Sequence, residues 1–417
     1  MSTMVNELLE EEEEEQDLIP IIPLFYDEEF WMAEAKAERE RCRAETEKKA
    51  RREEEYLRRS SMHRAVIDSI LQYDPKAGRK MYTRFFLRDL SVFNLDDESL
   101  VPPMRYTDSV YLDQHDLEDS VNILSLVIHS SDVGFSINVY GTVIVIARDS
   151  IDYKCIRLFR RGRNDCQLDE LLALIGPDRG LVLVDFIYVE IDLKIKADEE
   201  SLDSELSKGV LTINGRGLRT EDTVIDEVKT LDSRLSTLDM RYAIICDAVE
   251  STFEVSVVEG QFYGKITADT TSIQQKIVIH ESTSDDMMTC AEDGVKLQRR
   301  VMSVRLDQLL VFEITNLAHG ACANQHIEFT PSRTGHDVLA ISCGAGKILV
   351  KVVWSIMDRW YIDISFLSFL FTTREKQGKR DQTAAPMARA SRPGAWQRQE
   401  RAQGGGDLQE RRSAPAW

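Results

Sequence analysis

An antiparallel β-sandwich or a pair of related β-modules, preceded by a long charged α-helix, is the fold this sequence predicts. Three observations carry the prediction. Short apolar runs alternate with period two from Met81 onward, and a segment without Gly or Pro, dense in Glu, Arg, Lys and Ala, precedes them. One strand-like phrase is also written twice, as FSINVYGTVIVIARDSID from Phe135 and as FEVSVVEGQFYGKITADTTSI from Phe253.

The helix comes first along the chain. Glu28 to Tyr73 consists largely of strong helix formers. Glu45 and Lys49, Glu47 and Arg51, Glu54 and Arg58, and Glu55 and Arg59 stand four apart with the acid first, the more favourable order. Between Glu34 and Glu55 no large apolar residue recurs at heptad spacing, so a coiled-coil seam is not supported there. From Met62, MHRAVIDSILQY has an apolar face through Val66, Ile67, Ile70 and Leu71.

The strands follow. VNILSLVI, KCIRLFR, IYVEIDLKIK, GVLTING, MRYAIICDAV, FEVSVV, QKIVIH, QLLVFEIT, DVLAIS and KILVKVVWS are rich in β-branched and aromatic residues and are separated by Gly, Asp, Ser and Asn. In IYVEIDLKIK the core face is expected to run through Ile187, Val189, Ile191, Leu193 and Ile195, with Glu190, Asp192, Lys194 and Lys196 in water. Gly141 and Gly264 interrupt strand patterns at comparable places in two successive sections, as at bulges. No helical pattern separates the strands, which disfavours a doubly wound α/β fold. The predicted division is an acidic disordered N-terminus (1–26), a charged helical arm (27–80), a β-rich domain (81–358) and a low-complexity, disordered tail (359–417). In the last strand Val350, Val352 and Trp354 should share one face.

Charge and cysteine usage narrow the function. The net charge is −20; the first 17 residues contribute −8, Asp27 to Ser61 −1 and the tail from Arg374 +5, which leaves −16 for the middle. Such a body repels phosphate backbones and anionic headgroups, so nucleic acid is not the expected partner. Seven cysteines without a CxxC pattern fit a reducing compartment. The first residues show no signal-peptide pattern, and WYIDISFLSFLF is too short to span a bilayer, so a cytoplasmic protein is expected.

The run SVNILSLVIHSSDVGFSINVYGTVIVIARDSIDYKCIRLFRR, with ELSKGVLTI, RLSTLDMRYAIICDAVE, VVEGQFYGKITA and VKVVWSIMD, resembles an uncharacterised domain family of grass proteins. The resemblance covers about Phe85 to Asp358. It implies no activity, since that family is known only as a domain of unknown function. Some members are joined to ribosome-inactivating toxin domains of the jasmonate-induced type, which implies a link to stress or defence.

An rRNA N-glycosylase needs a Glu and an Arg one helical turn apart, because the leaving base is protonated as charge develops on the sugar. Glu38 with Arg41 and Glu40 with Arg43 have that spacing, but a helix this charged produces it by chance. SCGAGK at Ser342–Lys347 lacks phosphate-loop spacing and reads as a hairpin turn. Asp113, His115, Asp116, Glu118 and Asp119 form an acidic loop without the Gly that a calcium loop requires. No catalytic, cofactor-binding or metal-ligating residue is therefore assigned. The expected function is a non-enzymatic binding or regulatory module for a protein or a small ligand. The alternative is a protein related to the N-glycosylases, or a regulatory appendage of one.

Overall fold

The computed structural model of the chain describes residues 28–107, 116–135, 137–168, 170–217, 224–289, 294–318, 322–344 and 346–357, with the backbone alone at 142–145 and 274. The expectations for 1–26 and 359–417 fall outside these residues. What is described is mostly β, with one long helix at its start.

Helix α1 (Glu28–Ile70) is exposed along most of its length, and only its last turns carry an apolar face. Ile70 is buried there, and Val66 and Ile67 pack beside it. Arg59, expected to pair with Glu55, reaches instead to Asp89 at 3.2 Å. The helix also ends earlier than expected. Leu71–Asp74 forms a strand, β1, paired antiparallel with β2 (Arg79–Tyr82). Pro75 pushes the backbone of Asp74 out of the helical region. The Asp74 carboxylate accepts the N–H groups of Lys76 (2.9 Å) and Ala77 (3.0 Å), and Gly78 at φ +64° closes the turn.

A first sandwich contains β3 (Glu118–Ser131), β4 (Val139–Arg148), β5 (Ile156–Arg161), β6 (Leu181–Val182), β7 (Phe186–Ile195), β8 (Ser204–Asn214), β9 (Val224–Ser233) and the first half of β10 (Ser236–Glu259). Its sheets, β9-β10-β3-β6 and β5-β4-β7-β8, enclose a core that includes Ile123, Leu126, Ile187, Val189, Ile191 and Tyr242.

The second sandwich begins with the other half of β10. It adds β11 (Gln261–Phe262), β12 (Gly264–Thr270), β13 (Ile273–Glu281), β14 (Met288–Thr289), β15 (Val301–Arg305), β16 (Leu310–Asn316), β17 (Ala323–Phe329), β18 (Gly335–Cys343) and β19 (Gly346–Ile356). Its sheets are β18-β19-β10-β15 and β13-β12-β16-β17, and β11 pairs only with β14. Phe253, Phe262, Phe312, Val350, Val352 and Trp354 lie in its core. As the alternation in KILVKVVWS requires, Val350, Val352 and Trp354 are all fully buried.

The two sandwiches are architectural repeats. Taken in chain order, β3, β4, β5, β6, β7, β8, β9 and β10 correspond to β10, β12, β13, β15, β16, β17, β18 and β19, and both pairs of sheets have the same strand order. The repeated Tyr-Gly phrases therefore occupy equivalent places, at β4 and at the entry to β12. The runs MRYAIICDAV and FEVSVV, separate in the sequence pattern, are one 24-residue strand.

Of the two glycines of the phrase only Gly141 lies at a break in pairing, whereas Gly264, expected at a bulge, opens β12 in regular register opposite Asn316. Beside Gly141 the register of β4 against β7 shifts between Tyr140 and Ile146. Gly264 sits at φ +144°, and a Cβ there would fall 2.1 Å from the Thr315 carbonyl oxygen. The Ser342–Lys347 stretch is a hairpin turn, with Cys343 opposite Gly346 and Gly344 at φ +61°. Replacing Gly264 with Ala should cost on the order of 3 kcal/mol in urea denaturation, since both backbone and space oppose it. Gly78→Ala, with nothing within 4 Å of the new methyl, should cost only about 1 kcal/mol.

Candidate functional site

Residues 83–107 run without a strand, first across the outer face of the β4-β7-β8 sheet, where a buried carboxylate holds Arg84 and Phe85, and then to β10 and β19, where Met104 and Thr107 hydrogen-bond to Glu250 and the Trp354 carbonyl. Glu190 on β7 was expected to face water, but it is buried, with its side chain only 4% exposed. The period-two pattern places it correctly on the face opposite the core. That face, however, is covered. Glu190 Oε1 accepts hydrogen bonds from Arg148 Nε (2.6 Å) and from the Phe85 backbone N–H (2.9 Å), and Oε2 accepts from Arg84 Nε (3.2 Å). Ile146 pairs with Glu190 and Arg148 with Tyr188, which makes Arg148 and Glu190 diagonal neighbours on one face. Arg148 also donates to the carbonyls of Leu95 (2.6 Å) and Tyr153 (2.9 Å). Phe85, Phe93, Tyr153 and Tyr188 close over the ions as an aromatic cluster. Burial raises the pKa of the Tyr153 and Tyr188 hydroxyls.

The same covering segment docks α1. Arg59 donates to Asp89 (3.2 Å) and Ser91 (3.5 Å), and the Leu90 N–H donates to His63 Nδ1 at 3.1 Å. Two open grooves follow one another along the helix. One, of about 450 Å³, is lined by Arg52, Glu55, Tyr56, Arg59, Ser60 and His63, with Asp89 opposite. These helical positions recur every three or four residues and form a single stripe. The other groove, of about 400 Å³, continues past Val66 and Ile70 to Leu90, Phe93 and Leu95.

A second ionic knot lies at the seam of the sandwiches. Glu250, midway along β10, accepts the backbone N–H groups of Met104 (2.5 Å) and Gly180 (2.6 Å). Arg179 donates to Asp149 Oδ1 (3.0 Å) and to Ser99 (3.2 Å). Burial pushes the Glu250 carboxyl up, against the pull of these N–H groups and of Arg179 and Arg105. The cavity beside it is about 10 Å³, room for no more than one water. It serves as a joint, since nothing larger fits.

A family model described as a domain of unknown function (DUF6598) matches residues 120–352, more than half of the chain. The chain belongs to the DUF6598 family. The match runs from the start of β3 into β19, so the DUF6598 unit is the double sandwich, and α1 and the covering segment lie before it. No curated protein matches the chain. Among solved structures, the calcium-bound pair of C2 domains, A and B, of Extended-Synaptotagmin 2 overlaps 58% of this chain and 98% of that one, at 10% identity and a TM-score of 0.20. Human GIVD cytosolic phospholipase A2 overlaps 58% of this chain and 30% of that one, at 8% identity and a TM-score of 0.20. At these TM-scores neither overlap defines a shared fold.

The residues singled out in the sequence are not gathered into one site by the DUF6598 protein. Glu38 and Arg41 meet at 3.4 Å on the open helix, 64% and 76% exposed, and Glu40 and Arg43 are exposed too, so neither pair has walls for an adenine. Asp113 and His115 fall outside the described residues. Glu118 and Asp119, expected in that loop, instead open strand β3, where Asp119 accepts the Asp247 N–H at 3.2 Å and burial raises its carboxyl pKa. Among the described residues no cluster of His, Cys, Asp or Glu could hold a metal ion, and no helix is long and apolar enough to cross a membrane. Sequence reasoning missed Glu190, Arg148 and Arg179. For Glu190 and Arg148 the one available signal was charge inside strongly apolar strand patterns, and Arg179, two residues before β6, had none.

Two outcomes test these anchors. Glu190→Gln should destabilise the protein by about 3–5 kcal/mol in urea, because Arg148 remains buried without its counter-charge. The double change Glu190→Leu with Arg148→Met should cost much less. Asp74 gives a pH signature. Burial pulls its carboxyl upward, but hydrogen bonds from Ser233, Ala77 and Arg234 outweigh this and hold it below its ordinary value of 3.8. A depressed folded pKa gives stability that is fully present above the unfolded value and lost as pH falls through the folded one. Asp74→Asn should therefore cost about 1–3 kcal/mol at neutral pH. Its urea midpoint should converge on that of the wild type as the pH falls below 3.8 and through the lowered folded value.

Proposed function

We propose that the chain is a non-enzymatic binding module whose partner is a polypeptide, received along the α1 stripe from Arg52 to His63. The observation that carries this reading is Tyr56, 71% exposed, standing between Arg52 and Arg59 in an open groove that the covering segment flanks. Tyr and Arg side chains dominate binding energy at protein interfaces. An open groove along a rigid helix suits an extended or helical segment better than an enclosed small molecule. The apolar groove past Val66 would take an anchoring side chain of the same segment. The acidic double sandwich would hold nucleic acid and anionic membrane at a distance. The resemblance to grass proteins supports a plant protein acting in stress or defence, and the seven cysteines without a CxxC pattern support a cytoplasmic one.

A comparison of three immobilised forms of the protein tests this in plant extract. The variant combining Arg52→Glu and Tyr56→Ala should lose the captured proteins by about tenfold or more. Glu54→Gln, on the opposite helical face, should retain them. Equal capture by all three would overturn the reading, provided that circular dichroism shows α1 intact in each.

A further inference from the structure

The second sandwich brings two cysteines together at the corner where its sheets meet. Cys343 closes β18 and is fully buried, and Cys322, one residue before β17, is exposed. Cys343 Sγ donates to the Ala323 carbonyl oxygen at 3.2 Å and to the Ile314 carbonyl oxygen at 3.5 Å. The thiol therefore rests on the residue next to Cys322. The chains are equally close on the following residue, since a Cβ at Gly344 would lie 3.3 Å from the Ala323 methyl. Asn316 fixes this corner, because it pairs with Ala323 in the β16–β17 ladder while its Nδ2 donates to the carbonyls of Cys343 (2.9 Å) and Gln261 (3.0 Å).

We infer that Cys322 and Cys343 are a redox-modification site that closes to an intramolecular disulfide, linking the two sheets of the second sandwich. The division of labour follows from exposure. Cys322 is open to an entering oxidant, and Cys343 is fully buried against the carbonyl of Ala323, the residue next to Cys322. Burial pushes the Cys343 thiol pKa up and Cys322 adds to the shift, as expected of a resolving thiol beside a second sulfur.

The co-reactant is a low-molecular-weight disulfide such as oxidised glutathione. The Cys322 thiolate attacks one of its sulfurs, forming a mixed disulfide and releasing one thiolate. Cys343 gives up its proton and attacks the Cys322 sulfur, expelling the second thiolate. The two protein thiols lose two electrons and two protons in all, and the released thiols gain both. The other described thiols stand on separate elements: Cys42 on exposed α1, Cys155 buried at the entry to β5, Cys166 half-buried and Cys246 buried in β10.

The test uses the full chain, folded, with oxidised glutathione at neutral pH, followed by blocking of free thiols and non-reducing digestion. The expected product is one cross-linked peptide pair containing Cys322 and Cys343, lighter by two hydrogens and cleaved by dithiothreitol. Cys343→Ser should stop the reaction at a glutathione adduct on Cys322, and Cys322→Ser should leave Cys343 unmodified. Three results would overturn the inference: a stable glutathione adduct on Cys322 in the unaltered protein, a cross-link from Cys322 to any other cysteine, or no change at either residue. None of them depends on a variant folding, because each is read in the unaltered chain.

Discussion

One continuous strand, β10, constrains everything else in the double sandwich. Its residues Ser236–Ile245 pair with β9 and β3, and Val249–Glu259 pair with β19. It thus ends one sandwich and begins the next, with no linker in which the two could hinge. Between the halves Asp247 adopts φ 51°, and the register against β3 shifts between Ile245 and Ala248. Alternate residues serve different cores: Tyr242 and Ile244 point into the first, Ala243 and Ile245 into the second. The β3-β10 sheet is consequently buried on both faces, and the repeats form one body. A backbone lesion in β10 would weaken two cores at once, because its residues line both.

The arm is attached on a different principle. A segment that lacks a ladder of its own cannot satisfy its backbone groups cooperatively, so side chains must do it. Glu190 and Arg148 take the Phe85 N–H and the Leu95 carbonyl, and Glu250 takes the Met104 N–H. Each anchor is a buried charge whose geometry is specific, which fixes where the segment lies more than it adds to stability. With α1 in turn leaning on Asp89, Leu90 and Ser91, the position of the stripe that carries Tyr56 is decided by residues far from it in sequence. The family match supports the same division. It covers the scaffold that supplies Glu190, Arg148 and Glu250, and not the arm these residues hold.

The strands were legible because alternation is a local property. IYVEIDLKIK, GVLTING and KILVKVVWS each specify which face is apolar, and Val350, Val352 and Trp354 lie inward as read. The repeat was legible in a single phrase, and its full extent appears only when strand order is compared. Glu190 was misread for a definite reason. Period-two reasoning identifies two faces and assigns the polar one to water, whereas here a segment more than a hundred residues earlier covers it. The end of α1 was misplaced because the apolar spacing through Leu71 fits a helix, and the pull of Pro75 with the Asp74 turn was not weighed against it. The groove could not be read at all, since Arg52, Tyr56 and Arg59 look like any solvated helix until Asp89 is set opposite them.

The two sandwiches share a topology but handle charge differently, and the difference shows what each is for. Arg179 stands two residues before β6, and Arg299 two residues before the equivalent β15. Arg179 is neutralised by Asp149 in the sandwich that carries the arm, and the same guanidinium binds Ser99 of the covering segment. Arg299 has no carboxylate within ion-pair distance among the described residues, and burial alone pulls its pKa down to about 10. It stays charged at neutral pH. Its Nη2 donates to the Ile123 carbonyl at 2.8 Å, across to β3 of the first sandwich. Close by, Asn122 exchanges hydrogen bonds with the Ser303 backbone, at 2.8 and 2.9 Å. The same position thus fastens the arm in the first repeat and fastens repeat to repeat in the second. Because a buried guanidinium held by a backbone carbonyl needs that carbonyl kept still, the second use depends on the shared strand having already fixed the repeats against each other.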